Sequence, residues 1–145
     1  MSKSNTWEND LMKLIFNATA IANIADNAAT SPLTNLYISL HTADPGEAGD
    51  QTTSETAYTS YARVAVLRSS SGWTVSTNSA VNLAAVTFPA CTGGTSTVTY
   101  FAIGTASSGT GKILYSGALS SPTSLAISTG ITPEFAAGQL TVTED

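Results

Sequence analysis

Leu36-Tyr37-Ile38-Ser39-Leu40-His41, followed by Thr42-Ala43-Asp44-Pro45-Gly46-Glu47-Ala48-Gly49-Asp50, is the stretch on which the reading of the chain turns. Leu36, Ile38 and Leu40 alternate with Tyr37, Ser39 and His41, the period of two that marks a strand with one face on a core and the other outward. The residues before this strand have helical periodicity. Those after it form short strand patterns joined by Ser, Thr and Gly turns, so a helical lead-in hands over here to a β-domain.

Working back from the strand, Trp7, Leu11, Leu14, Ile15, Ala18, Ile21, Ala22 and Ala25 fall at helical spacing. Asn9, Lys13, Asn17, Asn23 and Asp26 fall largely off that stripe. The spacing predicts an amphipathic helix over 6–29, capped by Thr6, with Glu8 and Asp10 in the dipole-favoured first turn. Ser31-Pro32 would stop it, because the residue before proline is pushed out of the α region. Residues 1–5 carry no apolar anchor and are expected to form a flexible arm.

Working forward, residues 42–57 make the longest loop, with Asp44, Glu47, Asp50 and Glu55 in it. Asp44-Pro45-Gly46 is a turn signature. The carboxylate spacing does not match a twelve-residue calcium loop with its closing bidentate Glu, and no metal site is expected. Strand candidates lie at 61–68, 73–75, 82–88, 97–104, 112–119 and 138–145, the last placing Leu140 and Val142 inward. The 97–104 run is apolar on both faces near its middle, which suits a central strand, and it should form a hairpin with 112–119. Pro122 and Pro133 make 120–134 a region of edge strands or a crossover. With strands from 36 onward, the pattern predicts a single mainly-β domain over 6–145. It is read as an antiparallel β-sandwich or jelly roll with the N-terminal α-helix packed alongside.

Composition narrows the function. Only 10% of the 145 residues are charged while 42 are Ser or Thr, so hydroxyls must cover much of the surface. Short neutral side chains lose little rotamer entropy and carry no charge to desolvate, which suits flat contacts between subunits. The net charge of −5, with Lys3, Lys13, Arg63, Arg68 and Lys112 as the basic residues, offers no stripe for phosphates, so nucleic acid is not an expected partner. The run from Leu11 to Ala29 is interrupted by Lys13, Asn17, Asn23 and Asp26, which does not suit a membrane span. The polar Met1-Ser2-Lys3-Ser4-Asn5 start lacks a signal-like apolar core, pointing to synthesis in the cytoplasm of the producing cell.

Chemistry-bearing residues are few. His41 is the one histidine and is placed on the outward strand face; Cys91 is the one cysteine and reads as a small buried hydrophobe. Gly104-Thr105-Ala106-Ser107-Ser108-Gly109-Thr110-Gly111-Lys112-Ile113 fails as a phosphate loop: Ala106 and Ile113 replace required residues and a strand comes next where a helix should. It is read as a hairpin turn. No catalytic residue and no cofactor site is assigned, and the chain is expected not to be an enzyme. The candidate interface consists of Trp7, Tyr37, His41, Asp44, Glu47, Asp50, Tyr58 and Tyr61, amphipathic aromatics and loop carboxylates able to meet a partner.

Leu36 to Asp50, the continuation Ser54-Glu55-Thr56-Ala57-Tyr58-Thr59-Ser60-Tyr61-Ala62-Arg63-Val64, the later Val86-Thr87-Phe88-Pro89, Tyr100-Phe101-Ala102-Ile103-Gly104-Thr105 and the terminal Phe135-Ala136-Ala137-Gly138-Gln139-Leu140-Thr141-Val142 resemble a family of small virion proteins of tailed bacteriophages. Members are often labelled tail fibre proteins, and some are similar to the jelly-roll cement proteins that decorate heads. The resemblance runs over most of 30–145 and implies a bacteriophage capsid cement (decoration) protein on the outer surface of the head. Such a subunit would bind the major capsid protein and itself, as a homodimer or homotrimer. A tail fibre or baseplate component is the alternative, and a carbohydrate-binding jelly roll using Trp73 or Tyr37 as a stacking platform is a third.

Overall fold

The computed structural model describes residues 3–21, 24–25 and 32–144. The fold class is the expected one: mainly β, with antiparallel sheets and one N-terminal helix. The strands are more numerous and shorter than the sequence pattern indicates, eleven among the described residues. The contacts divide the chain into two compact units, one of residues 1–35, 66–85 and 135–145, the other of 36–65 and 86–134.

The first unit holds the helix α1 (Asn5–Asn17) and a three-stranded antiparallel sheet. Its strands are β3 (Trp73–Ser76), β4 (Ser79–Asn82) and β11 (Thr141–Thr143), with β4 in the middle. Ser4, not Thr6, caps the helix, its hydroxyl accepting from the Trp7 amide. Of the five residues expected as an arm, Lys3 pairs with Glu144 at 2.7 Å and Ser4 and Asn5 belong to the helix start.

The helix stops twelve residues short of position 29. Ala18 turns left-handed at φ 54°, and the Thr19 amide closes back on the Lys13 carbonyl, the standard way a helix satisfies its last carbonyls. Arg68 then donates to the Leu14 and Ile15 carbonyls, supplying from a distant segment the positive charge that the helix's own last turn lacks. The expected stop at Ser31 lies outside the described residues.

The buried line on the helix is Glu8, Met12 and Phe16, not the Trp7, Leu11, Leu14 and Ile15 stripe. Phe16 meets the fully buried Trp73 edge to face, centroids 4.7 Å apart, and this contact fixes which side of the helix faces the sheet. Buried Asn82 ties the chain end to β4, donating to the Ala84 and Ala136 carbonyls and accepting from the Leu140 amide. Leu140 and Val142 point inward, as their alternation requires.

The second unit is built on a sheet of order β2-β1-β7-β8, from β1 (Asn35–His41), β2 (Val64–Leu67), β7 (Tyr100–Gly104) and β8 (Ile113–Ala118). The expected hairpin of β7 with β8 is present, antiparallel, with an irregularity between Ile103 and Gly104. The single strand expected over 97–104 is two: β6 (Thr95–Val98) breaks away at Thr99 to pair with β9 (Leu125–Ser128). The 82–88 candidate likewise ends as part of β4 and resumes as β5 (Val86–Thr87), which pairs with β10 (Glu134–Phe135). Leu36, Ile38, Leu40, Phe88, Val98, Ile103 and Ile127 fill the core of this unit.

Among the described residues no helix is long and apolar enough to cross a membrane. Replacing Trp73 by Ala should remove about 3–5 kcal/mol of unfolding free energy, the usual result of emptying a large buried aromatic site. Leu67→Ser, at a half-exposed position, should shift it by less than about 0.5 kcal/mol. Urea titration of both variants checks the pair of values.

Candidate functional site

The chemistry-bearing residues of the second unit converge where the 42–57 loop meets β1. Alternation places Ser39 and His41 outward, yet both are fully buried. The reason is that the loop folds back over that face. Thr42 N–H donates to the Ser54 carbonyl, Thr56 N–H to the Leu40 carbonyl, and the Gln51 side chain to the Tyr37 carbonyl.

His41 is held from both ring nitrogens. Nδ1 lies 2.8 Å from the Thr53 carbonyl, which can only accept, so that nitrogen carries the proton; Nε2 then accepts from Ser39 Oγ at 2.9 Å. The Ser39–His41 contact has the form of a nucleophile–base hydrogen bond. It is sealed on all sides, and a backbone carbonyl stands where a triad would place an orienting carboxylate. Burial pushes the His41 pKa below its usual value and Arg63 adds to the lowering. The Thr53 carbonyl and the Glu55 charge oppose this without cancelling it.

Beside it lies a nearly buried ion pair. Arg63 Nε and Nη2 reach the two oxygens of Glu55 at 2.7 and 2.8 Å, with 2% of the Arg63 side chain and 15% of the Glu55 side chain exposed. The same guanidinium donates to the Ala106 and Gly109 carbonyls in the β7–β8 turn. Tyr61 donates to Glu55 and accepts from the Leu40 amide; desolvation first, and then the Glu55 carboxylate, hold its phenol protonated well above its usual range. Gln51 completes the network, accepting from the Ala106 amide. Gly104 and Gly111 are small because Gln51 lies there: a Cβ on either would come within 2.1 Å of its carboxamide.

The loop carboxylates are turn-formers. Asp44 accepts from the Gly46 amide, and Asp50 accepts from the Thr52 hydroxyl and amide, which holds the Asp50 carboxyl below the ordinary carboxylate range. Asp44, with Glu47, borders an open groove of about 400 Å³ whose other wall is Ile113, Leu114, Tyr115 and Ser116 of β8. Among the described residues no three His, Cys, Asp or Glu side chains gather as a metal ion would need.

The predicted interface residues therefore separate. Asp44 and Glu47 are exposed; Trp7, Tyr37, Asp50 and Tyr61 are half-buried. His41 and Tyr58 are buried, which corrects the outward placement of His41, and Tyr58 donates to the Pro89 carbonyl. Trp73 is wholly enclosed in the first unit, so it cannot be a sugar platform. Cys91 is buried as expected. Sequence reasoning missed Gln51, Glu55 and Arg63 as a unit. The signal available was that two of the five basic residues, Arg63 and Arg68, lie within the one predicted strand at 61–68.

A fold whose buried polar groups are engaged in fastening one segment to another suits a structural protein, and the family comparison gives the setting: a tailed-phage virion protein. A family model described as podophage GP4 fiber I protein gp80 matches residues 2–143, nearly the whole chain, and the chain belongs to that family. Among curated proteins none matches.

Removing one partner of the buried pair strands the other, so Arg63→Ala should lower unfolding free energy by about 3–5 kcal/mol in urea titrations. The histidine gives a pH signature. Its native pKa lies below the unfolded value of about 6.5, so the unfolded chain binds the extra proton first. The stabilisation is present above about pH 6.5 and is lost as the pH falls through the native value. Unfolding midpoints measured from pH 8 to 5 should fall on acidification, and the part of that fall due to residue 41 should vanish in His41→Asn.

Proposed function

We propose that this protein is a non-catalytic building block of a phage fibre, acting by packing against copies of itself and neighbouring virion proteins. The observation that carries this is the match over residues 2–143 to a family described by a podophage fibre protein. The composition supports it: 10% charged residues and a Ser/Thr-rich surface suit contacts that need little desolvation of charge. Copies would associate as a homodimer or homotrimer, and nothing in the charge pattern calls for nucleic acid as a partner.

The second reading is a capsid cement protein holding the outer surface of the major capsid protein shell. What favours it is that some members of the virion-protein family that residues 30–145 resemble are similar to jelly-roll cement proteins, together with the net charge of −5. On that reading the shell is stabilised by mass action, since a subunit that binds only the assembled lattice holds it assembled. Gold-labelled antibodies against the chain, imaged on intact particles, should mark fibres at a few symmetry-related positions. Label spread over the head in lattice numbers would replace the fibre reading with cement.

A further inference from the structure

β8 forms one edge of the sheet of the second unit: among the described residues β7 pairs with it and no strand lies on its other side. Its outward backbone groups can be assigned. Leu119 N–H donates to the Thr99 carbonyl at 2.8 Å, so Phe101↔Gly117 and Ile103↔Tyr115 are hydrogen-bonded pairs in the antiparallel alternation. The N–H and C=O of Ser116 and Ala118 then point away from β7, and both residues are exposed.

Exposed edges are commonly blunted by charged side chains, by proline or by a bulge. Residues Ile113–Ala118 contain neither charge nor proline, and the irregularity at Ile103/Gly104 is confined to the strand's start, leaving Ser116–Ala118 in regular register. Alongside the same strand runs the groove whose opposite rim carries the exposed carboxylates Asp44 and Glu47. An open ladder beside a negative groove matches one kind of occupant: an extended segment with a positive side chain.

We propose that the β8 edge takes an extended, basic segment of another virion protein, added as a strand, with a lysine or arginine side chain lying between Asp44 and Glu47. A second copy of this chain fits less well. Of its five basic residues, Lys3, Arg63 and Arg68 are engaged with Glu144, Glu55 and helix carbonyls, Lys13 stands on α1, and Lys112 directly precedes β8 itself. Lys112 adjoins the open edge, but it would reach the rim of a second copy only if β8 paired with β8, the outcome that a cross-link to this chain's own sequence would report. The basic strand is assigned to another protein of the particle, whether the chain stands in a fibre or on the head.

The test places p-benzoylphenylalanine at Ser116 in the full chain, assembles it into phage and irradiates intact particles. The expected product is a cross-link to one segment of a different virion protein with Lys or Arg within a few residues. Adding Glu47→Lys, on the exposed rim and away from the core, should cut the yield per incorporated copy at least tenfold. A cross-link to this chain's own sequence gives the edge to a second copy and overturns the proposal. So does a cross-link to a segment without Lys or Arg, the absence of any cross-link, or a yield unmoved by Glu47→Lys. These outcomes are independent of where antibodies place the chain, so they leave the fibre reading to its own experiment.

Discussion

The second unit depends on one interaction, the two-point contact between Arg63 and Glu55 in a nearly dry setting. Taking both charges out of water is expensive, and only good geometry with further hydrogen bonds offsets it. Both conditions are met here: Tyr61 adds a donor to the carboxylate, and two turn carbonyls take two further guanidinium hydrogens. Because Glu55 ends the long loop and Ala106 and Gly109 belong to the β7–β8 turn, one ion pair fastens the loop to two otherwise separate pieces of backbone. The loop in turn covers Ser39 and His41. A neutral imidazole there needs both its donor and its acceptor satisfied, and the loop supplies the Thr53 carbonyl that does so.

A parallel arrangement organises the first unit. Asn82 uses its amide and its backbone to bind the returning chain end, while Arg68 reaches the open carbonyls at the end of α1. In both units buried or half-buried polar side chains satisfy backbone groups that regular secondary structure left over. Arg63 and Glu55 are turned inward, while Asp44, Glu47, Lys112 and Glu134 stay exposed on a surface otherwise rich in hydroxyls. Residues 69–133 contain one charged side chain, Lys112. For a virion protein whose surface meets other subunits, that distribution lowers the desolvation cost of assembly, and it leaves sheet edges such as β8 open to added strands.

The strand pattern was legible because burial of a sheet face imposes a period of two whatever the partner. Leu36, Ile38 and Leu40 are core residues as their spacing indicates, Leu140 and Val142 point inward, and the glycine-rich 104–112 segment is the hairpin turn that its failed phosphate-loop pattern left it to be. The helix length was not legible. Periodicity continued past Asn17, and the stop comes from the left-handed turn at Ala18 and from Arg68, fifty residues away in sequence. His41 was misplaced for a related reason, since alternation tells which residues share a face and says nothing about a loop that returns to cover it.

The sequence by itself determined the fold class, the inward face of each main strand and the scarcity of charge on the surface, because these depend on local period and composition. Tertiary structure alone decided which of the few charged and polar side chains are buried together. Glu55, Arg63, Gln51 and His41 are too far apart along the chain for any local pattern to pair them, and their meeting exists only once the loop has closed over β1.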